Sequence, residues 1–249
     1  MTELLLETRG LRKTFGALRA TDNVDFDVRT GETHAVIGPN GAGKTTFIKQ
    51  LSGELRPDTG RVRFAGEDIT SLPVQRRSRK GLARSFQITS IYRDFSALDN
   101  VALAVQAHAA HSFRFWHPAR EDISLRGPAA RVLEQVGLEK RAHILAANLA
   151  HGEQRQLEIA MALATQPRLL LLDEPVAGMG TDESQRMIEL LAGLKGEKTM
   201  VLVEHDMDAV FSLADRISVL VYGRIIATGT PAEIRADPGV RAAYLGEDD

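Results

Sequence analysis

The chain has 249 residues, 43% of them hydrophobic and 26% charged, which is the composition of a globular protein long enough to bury a sizeable core. A formal net charge of −2 gives no overall attraction to nucleic acid or to an anionic membrane surface. The absence of cysteine excludes disulfides, thiol catalysis and cysteine-ligated metals, and no apolar run approaches the roughly 18 residues of a membrane span. The opening MTELLLETRG lacks the features of a secretion signal, so a function at a membrane would need another polypeptide to cross it.

The first third of the chain alternates short apolar runs with glycine-containing turns. Residues 33–38, THAVIG, predict a buried strand, and residues 44–53, KTTFIKQLSG, predict a helix that ends on a glycine. Residues 61–69, RVRFAGEDI, alternate and turn in the manner of a surface hairpin.

A glycine-rich loop, GPNGAGKT at 38–45, lies between this strand and this helix and fits the pattern G-x-x-x-x-G-K-[ST]. Its glycines let backbone N–H groups face phosphate oxygens, Lys44 places a positive charge near the β- and γ-phosphates, and Thr45 offers a hydroxyl to Mg²⁺. The N-terminal dipole of the following helix also favours an anion. The loop is therefore predicted to be a P-loop. Its nucleotide-contacting residues are Gly38, Pro39, Asn40, Gly41, Ala42, Gly43, Lys44, Thr45 and Thr46.

The remainder of the chain changes character twice. Residues 97–148 have helical periodicity, interrupted by an aromatic and histidine-bearing stretch, with a loop expected near His117 and Pro118. Residues 169–175, LLLLDEP, and 200–205, MVLVEH, then predict strands of a parallel sheet that is covered by helices on both faces.

A pair of acids, Asp173 and Glu174, follows the first of these strands at its carboxyl end, where open α/β sheets keep their ligands. Asp173 is suited to orient Mg²⁺ through water, since Mg²⁺ takes few carboxylates beside phosphates. Glu174 is suited to accept a proton from the attacking water or to orient it. The P-loop and the acids together predict a nucleotide-hydrolysing site.

These motifs, in this order, resemble those of the ATP-binding cassette (ABC) ATPases, and the resemblance covers essentially the whole chain. Phe15 in RKTFGAL matches the aromatic ring that the family places against adenine. Gln87 in RSFQITS matches the glutamine that senses Mg²⁺ and the γ-phosphate and faces the transport partner. Asp173 and Glu174 match the acidic motif and its catalytic glutamate, and His205 in VLVEHDM matches the histidine that contacts the γ-phosphate.

The resemblance implies an α/β fold: a P-loop core with a mostly parallel sheet, an N-terminal antiparallel β portion and an inserted α-helical subdomain. We expect one domain over 1–249, in which 1–96 and 164–249 form the nucleotide-binding core and 97–163 form the helical subdomain. ATP and Mg²⁺ are the implied cofactors. The implied catalytic set is Lys44, Gln87, Glu174 and His205, and the implied metal set is Thr45, Gln87 and Asp173.

The segment LAHGEQ, at 149–154 and hereafter the signature segment, stands where the family binds the γ-phosphate of an ATP held by the opposite subunit. The backbone N–H groups of Gly152 and its neighbours are expected at the N-terminus of a helix, where they can face an anion. Ala150 replaces the usual serine and His151 a glycine, and Glu153 precedes the glutamine. Loss of the serine hydroxyl forfeits a hydrogen bond to a charged group, worth about 1.5–3 kcal/mol, and His151 offers a replacement donor.

A second departure follows the acids. The family has a serine-alanine-leucine-aspartate turn that touches the other subunit, whereas this chain has VAGMGTDE, with Gly180 at the aspartate position. Communication across a dimer is therefore in question here.

Several stretches resemble the importer ATPases for branched-chain amino acids and urea, namely EPVAGM, LEIAMAL, the long insert, the variant signature and the ending TPAEIRADPGVRAAYLGEDD. The implied partners are a homologous ATPase subunit, integral membrane permease subunits and, indirectly, a periplasmic binding protein. The implied location is peripheral, on the cytoplasmic face of the plasma membrane. Ile91, Tyr92 and Phe95 are candidate anchors for a permease helix, with ordinary core packing as the equal alternative.

Three alternatives remain open at this stage. The chain end is also similar to the ATPase of lipopolysaccharide export. A second alternative is an ABC ATPase that acts on nucleic acid or ribosomes, supported by RRSRKGLAR at 76–84, which has five basic residues in nine but no interleaved aromatics. We favour a solvated helix face for that run and expect no nucleic-acid partner. The third alternative is a non-catalytic regulatory cassette, against which Lys44, Glu174 and His205 argue.

Overall fold

The computed structural model describes residues 3–85, 91–108 and 122–245. The strands are β1 (Leu4–Phe15), β2 (Leu18–Arg29), β3 (Thr33–Ile37), β4 (Thr59–Phe64), β5 (Glu67–Asp68), β6 (Leu82–Arg84), β7 (Leu169–Asp173), β8 (Thr199–Val203), β9 (Arg216–Val221) and β10 (Arg224–Gly229). The α-helices are α1 (Lys44–Ser52), α2 (Val74–Arg79), α3 (Ala97–His108), α4 (Ile123–Gln135), α5 (His151–Ala164), α6 (Thr181–Leu194), α7 (Met207–Leu213), α8 (Pro231–Ala236) and α9 (Pro238–Val240). Short 3₁₀ turns lie at Glu139–Arg141 and Ala146–Asn148, and a π-helical turn lies at Arg241–Leu245.

The larger sheet has six strands in the order β10-β9-β3-β8-β7-β6. Its neighbours pair in parallel from β9 to β6, and β10 alone is antiparallel, at one edge. All residues of β3, β7 and β8 are buried because both faces of the sheet are covered. This confirms the mostly parallel sheet and the buried strands predicted at 33–38, 169–175 and 200–205.

The smaller sheet has four antiparallel strands in the order β2-β1-β4-β5. It supplies the N-terminal antiparallel portion, and β4 and β5 form the hairpin that was predicted at 61–69. The hairpin turns at Ala65 and Gly66, both of which have positive φ. The fold class is therefore confirmed in both sheets.

The core consists of two clusters on opposite faces of the larger sheet. Strand β7 contributes to both, because successive side chains of a strand point to opposite faces. Leu169 and Leu171 join the cluster between the two sheets and α1, whereas Leu170 and Leu172 join the cluster that includes the helical part. One contiguous core thus links the sheet to the helices α3, α4 and α5, which pack on one another.

The loop expected near His117 and Pro118 lies outside the described residues. Among the described helices, none combines the length and apolarity needed to cross a membrane.

We expected the basic run at 76–84 to form a solvated helix face, but some of its side chains are buried. Arg77 is buried and donates hydrogen bonds to four backbone carbonyl oxygens, those of Gln50, Leu51, Thr70 and Leu72, at 2.7–3.0 Å. Gln50 and Leu51 lie in the last turn of α1, whose carbonyls have no partner within the helix. Burial lowers the pKa of Arg77 to about 10. Arg77 is therefore a structural residue that closes the end of α1, and the prediction of a solvated side chain is wrong there.

His34 is a buried histidine in the middle of the larger sheet, 1% exposed. Its Nδ1 lies 3.0 Å from the carbonyl oxygen of Asp27 and its Nε2 lies 2.8 Å from the hydroxyl of Ser218. The carbonyl of Asp27 accepts from Nδ1, so in the neutral imidazole Nε2 accepts from the hydroxyl of Ser218. Burial, assisted by the charge of Arg216, lowers the pKa of His34 to about 3.

The protonation of His34 in the unfolded state should make the protein sensitive to mild acid. The folded pKa lies below the unfolded value, so full stability is present above about pH 6.5 and is lost progressively as the pH falls towards the folded pKa of about 3. Between about pH 7 and pH 5.5 this one group should lower the free energy of unfolding by about 1 kcal/mol. Urea unfolding of His34→Gln should show a pH dependence that is smaller by that amount. The exposed His143→Gln is the matched control, and an equal reduction in both variants would contradict the assignment.

Candidate functional site

The loop between β3 and α1 follows a path on which side chains do not fit. A Cβ added to Gly38 would lie 2.0 Å from the carbonyl oxygen of Leu220, and one added to Gly43 would lie 2.0 Å from that of Ala20. Gly43 also has a φ of 104°, in the left-handed region. The tip of the turn between β9 and β10 holds the loop from behind, since the N–H of Gly223 donates to the carbonyl of Ala42 at 2.9 Å.

This path leaves a group of backbone donors free at the start of α1. In the described part of the chain no protein acceptor takes the N–H groups of Gly41, Gly43, Lys44, Thr45 or Thr46. The helix has no side-chain cap and no acid in its first turn that could compete for these donors. A cluster of unpaired N–H groups at the positive end of a helix fits the phosphates of a nucleotide.

Lys44 reaches across the same loop. Its Nζ donates to the carbonyl oxygens of Gly38 at 2.5 Å and Pro39 at 3.0 Å, and its side chain is largely buried. Burial lowers the pKa of Lys44, while the nearby charges of Glu174 and Asp173 raise it. The ammonium is thus bound to the backbone of the loop and lies within range of the charges of both acids, where it can bind a phosphate oxygen.

Asp173, the last residue of β7, is 1% exposed and accepts a hydrogen bond from Arg84 of the neighbouring strand at 2.8 Å. Burial raises the pKa of Asp173, the Arg84 charge and hydrogen bond lower it, and the adjacent Glu174 raises it again. Arg84 also pairs with Glu54. Its side chain is 5% exposed, so the expectation of a solvated basic run is wrong for this residue too. No sequence signal had linked Arg84 to the acidic pair.

Glu174 and His205 lie close to each other. The Nδ1 of His205 is 3.7 Å from Oε1 of Glu174, and the histidine side chain is more than half exposed. Glu174 has a φ of 50°, which is unusual for a residue other than glycine. Its N–H donates to the carbonyl of Val203, the last residue of β8, at 2.8 Å. The parallel strands β7 and β8 therefore bring the acid and the histidine, far apart in the chain, to one edge of the sheet.

Phe15 lies at the end of β1, in the turn to β2, and its ring is about half exposed. The Nζ of Lys13 is 5.7 Å from its centroid. A ring this exposed is accessible to an adenine base, and the contact between Phe15 and adenine stays a prediction. Gln87 lies outside the described residues.

The signature segment begins α5. Ala150 is the N-cap and His151 is the first helical residue, and both are exposed, whereas Gly152 is buried. Glu153 accepts the N–H of Ala150 at 3.0 Å and a hydrogen bond from Arg141 at 2.8 Å. Its carboxylate therefore holds the start of α5, and its contact with a nucleotide stays a prediction.

The surroundings of Gly152 and His151 involve the chain after the acids. A Cβ on Gly152 would lie 3.1 Å from the carboxylate of Glu183, so this position has no room for a side chain without a shift of Glu183. A Cβ on Gly178 would lie 3.7 Å from the ring of His151. Gly180, the second departure from the family pattern, is exposed and is the N-cap of α6.

A cavity of about 320 Å³ lies between the core and the helical part, lined by residues that include Ser85, Tyr92, Ala104, Glu158 and Met161. Of the three candidate anchors, Tyr92 is 57% exposed, and Phe95 is partly buried with its ring 5.6 Å from that of Tyr92. Ile91 packs against the core cluster. Ile91 is therefore a core-packing residue. Of the three candidates, Tyr92 is the one whose side chain is exposed.

The Mg²⁺ ligands predicted from the sequence can be compared with this geometry. Thr45 is exposed at the start of α1, and Asp173 faces the same sheet edge with one oxygen bound to Arg84. The described residues contain no cluster of three or more histidine, aspartate or glutamate side chains able to hold a metal by themselves. Thr45 and Asp173 therefore suit an ion that is coordinated mainly by water and phosphate oxygens and by few protein groups. Mg²⁺ binds with nucleotides in this way.

Comparisons with known proteins agree with this geometry. The family model for the ABC transporter matches residues 21–177, and the model for the branched-chain amino acid ATP-binding cassette transporter matches residues 224–249. The chain is 41% identical to the high-affinity branched-chain amino acid transport ATP-binding protein BraF of Pseudomonas aeruginosa, over 99% of this chain and 100% of that protein. It is 33% identical to the lipopolysaccharide export system ATP-binding protein LptB of Acidithiobacillus ferridurans, over 98% and 97% of the two chains. The crystal structure of the ADP conformation of MJ1267, an ATP-binding cassette of an ABC transporter, superposes with a TM-score of 0.86 at 29% identity, covering 99% of this chain and 100% of that one.

A mostly parallel sheet with a P-loop after one strand, an acidic pair at the carboxyl end of another and an attached helical part defines a P-loop nucleoside triphosphatase. The model match spans more than half of the chain and the full-length identity is high, so the chain belongs to the ABC transporter family. It is an ATPase of that family, with ATP as its nucleotide.

The two glycines of the loop provide a test of its packing. Gly43→Ala should lower the free energy of unfolding by about 2–3 kcal/mol, since the new methyl group meets backbone that cannot give way. Gly41→Ala, where nothing lies within 4 Å of the added Cβ, should cost only the left-handed backbone penalty of about 1 kcal/mol. Urea unfolding of both variants without nucleotide measures the difference. Equal losses would show that the close approach to Ala20 does not constrain the loop.

Proposed function

We propose that this chain is the ATP-hydrolysing subunit of an importer for branched-chain amino acids or for a related small polar solute of the amide or urea type. The observation that carries the proposal is the group of unpaired N–H donors at the start of α1 beside Lys44, Asp173 and Glu174. The importer branch is supported by the 41% identity to BraF and by the model match at residues 224–249.

In the proposed reaction, Lys44 and the N–H groups of the loop bind the β- and γ-phosphates. Mg²⁺, when bound, neutralises charge on the transferring phosphoryl group, and Thr45, Gln87 and Asp173 are its proposed ligands. Glu174 orients the attacking water and accepts its proton, and His205 contacts the γ-phosphate. Phe15 stacks on the base. The 3.7 Å between Glu174 and His205 supports their joint action on one phosphate.

We further propose that ATP is cut only between two cassettes, each contributing its P-loop to one nucleotide and its signature segment to the other. In the described part of the chain no hydrogen bond or ion pair joins residues 38–46 to residues 150–153. Ala150 and His151 are exposed and available to a partner. The partner is a homologous ATPase subunit or a second copy, with Gly180 at the contact between them.

The division of the chain is a further part of the proposal. We propose that 1–96 and 164–249 form the core and 97–163 the helical subdomain, with α3, α4 and α5 packed on one another. The cavity beside Tyr92 lies between the two and is the proposed seat of a permease helix. The protein would then work peripherally, at the cytoplasmic face of the plasma membrane, and meet a periplasmic binding protein only through the permease.

The alternative functions have weaker support. The likeness to LptB is 33%, and the match at residues 224–249 is to the branched-chain amino acid cassettes. A nucleic-acid partner is disfavoured because Arg77 and Arg84 are bound within the fold, leaving fewer charges of the run at 76–84 for phosphates. A regulatory cassette without activity is disfavoured by the assembled Lys44, Glu174 and His205.

Reconstitution tests the transported solute. The chain and the membrane proteins that co-purify with it are placed in vesicles with Mg-ATP, and uptake of labelled leucine is compared with uptake of labelled urea. ATP-dependent uptake of either solute supports the proposal and selects between the two. Co-purification with exporter proteins and no uptake of either would contradict it. A salt-sensitive shift of nucleic acid on a gel would favour the second class instead.

The role of Glu174 has its own test. Glu174→Gln should leave ATP binding within about threefold of the wild type and lower kcat by about 1000-fold, since the amide cannot accept the proton of the attacking water. Steady-state hydrolysis and equilibrium ATP binding measure the two effects. Glu197→Gln, a substitution of an exposed glutamate in the turn before β8, is the control and should retain turnover. Unchanged hydrolysis in Glu174→Gln would remove this residue from the proposed role.

A further inference from the structure

A third acid, Glu204, lies at the same sheet edge and has no place in the reaction described above. It follows directly after β8 and precedes His205, and it is 0% exposed. Carboxylates are almost never fully buried unless they are paired or hydrogen-bonded, because removal from water disfavours the charge. A buried acid of this kind, next to the proposed reacting groups, needs a physical explanation.

Each oxygen of Glu204 has a backbone partner. Its Oε1 accepts the N–H of Val176 at 3.0 Å, and its Oε2 accepts the N–H groups of His205 at 3.0 Å and Asp206 at 3.3 Å. Burial raises the pKa of Glu204, and these three backbone hydrogen bonds and the charge of His205 lower it. The carboxylate joins two loops that are distant in sequence: the loop after the acidic pair and the loop that carries His205.

The bond to Val176 acts on a strained part of the chain. Glu174 has a φ of 50°, a conformation that costs an L-residue about 1–2 kcal/mol and persists only when its surroundings hold it. On one side its own N–H is bound to the carbonyl of Val203, and two residues later the N–H of Val176 is bound to Glu204. Both anchors come from the end of β8, so they hold Glu174 from two adjacent points.

We propose that Glu204 is a positioning residue for ATP hydrolysis, which sets the backbone of Glu174 and of His205 relative to each other by binding the N–H groups of both loops. The proposal rests on the hydrolytic function proposed above. Glu204 contacts no nucleotide in this scheme. Its effect is on the geometry of the two side chains that flank the attacking water, where displacements of about 1 Å can change rates by about 100-fold.

The amide of Glu204→Gln has nearly the same shape as the carboxylate but one acceptor oxygen instead of two. It can keep one of the two anchor points and leaves a buried donor without a partner at the other. Glu32→Gln is the matched control. Glu32 is 8% exposed, accepts the N–H of Arg29 at 2.7 Å and pairs with Arg216, and it lies just before β3, at the end of the sheet away from the P-loop.

The experiment measures kcat, KM, equilibrium ATP binding and thermal unfolding of the full chain, assembled with its co-purifying membrane subunits, for the wild type and both variants. Glu204→Gln should lower kcat by about tenfold to 100-fold, with ATP binding within about threefold of the wild type. Amide hydrogen exchange should become faster at Val176, His205 and Asp206 and stay unchanged in β3 and β7. Glu32→Gln should keep the wild-type kcat.

The outcomes separate positioning from stability alone. A kcat of Glu204→Gln within twofold of the wild type overturns the proposal, and so does an equal loss in Glu32→Gln. Should Glu204→Gln not fold, Glu204→Asp, which keeps the charge and is one methylene shorter, is measured in its place. Loss of fold in both assigns Glu204 to stability and overturns the proposal. A wild type without ATPase activity would instead contradict the proposed function itself.

Discussion

The close approach of the P-loop backbone to its neighbours is the constraint on which the rest of this structure depends. Gly38 lies against the carbonyl of Leu220 and Gly43 against that of Ala20, so the loop wraps tightly at the carboxyl end of β3. Along that tight path, the N–H groups of the first turn of α1 meet no protein acceptor among the residues that the structure describes. A looser loop with side chains at these positions could not present the same row of donors to a phosphate. The neighbouring strands then define what else can reach that phosphate.

The charges at this edge of the sheet are balanced by buried pairs. Asp173 is bound to Arg84, which is bound in turn to Glu54, and Lys44 lies close enough to Asp173 and Glu174 for their charges to raise its pKa. Glu204 is hydrogen-bonded to three backbone N–H groups, and its Oε2 lies 3.8 Å from Nδ1 of His205. Each of the three acids therefore has a different environment, which suits the different roles that we propose for them.

The signature segment shows how a departure from a family pattern can be accommodated. Ala150 has no hydroxyl to accept an N–H of the first turn, and the carboxylate of Glu153 makes a different bond by accepting the N–H of Ala150 itself. Arg141 pairs with the other oxygen of that carboxylate. The start of α5 is thus held from within the chain, and the exposed Ala150 and His151 remain at its surface.

The sequence by itself was sufficient for the features that depend on residues near one another in the chain. The P-loop pattern, the acids after an apolar strand and the period-2 and period-3.6 runs each reflect short-range geometry, and with the family resemblance they predicted the two kinds of sheet and the helical part. Only the tertiary structure decided which distant groups meet. Arg84 binds Asp173 across 89 positions and His34 binds Ser218 across 184, because parallel pairing places strands side by side without any periodic trace in the chain. The sequence does not show that Arg77 and Glu204 are buried, because the backbone carbonyl and N–H groups that they bind are common to almost all residue types. Backbone partners leave no mark on sequence, and for this reason the folded chain alone revealed them.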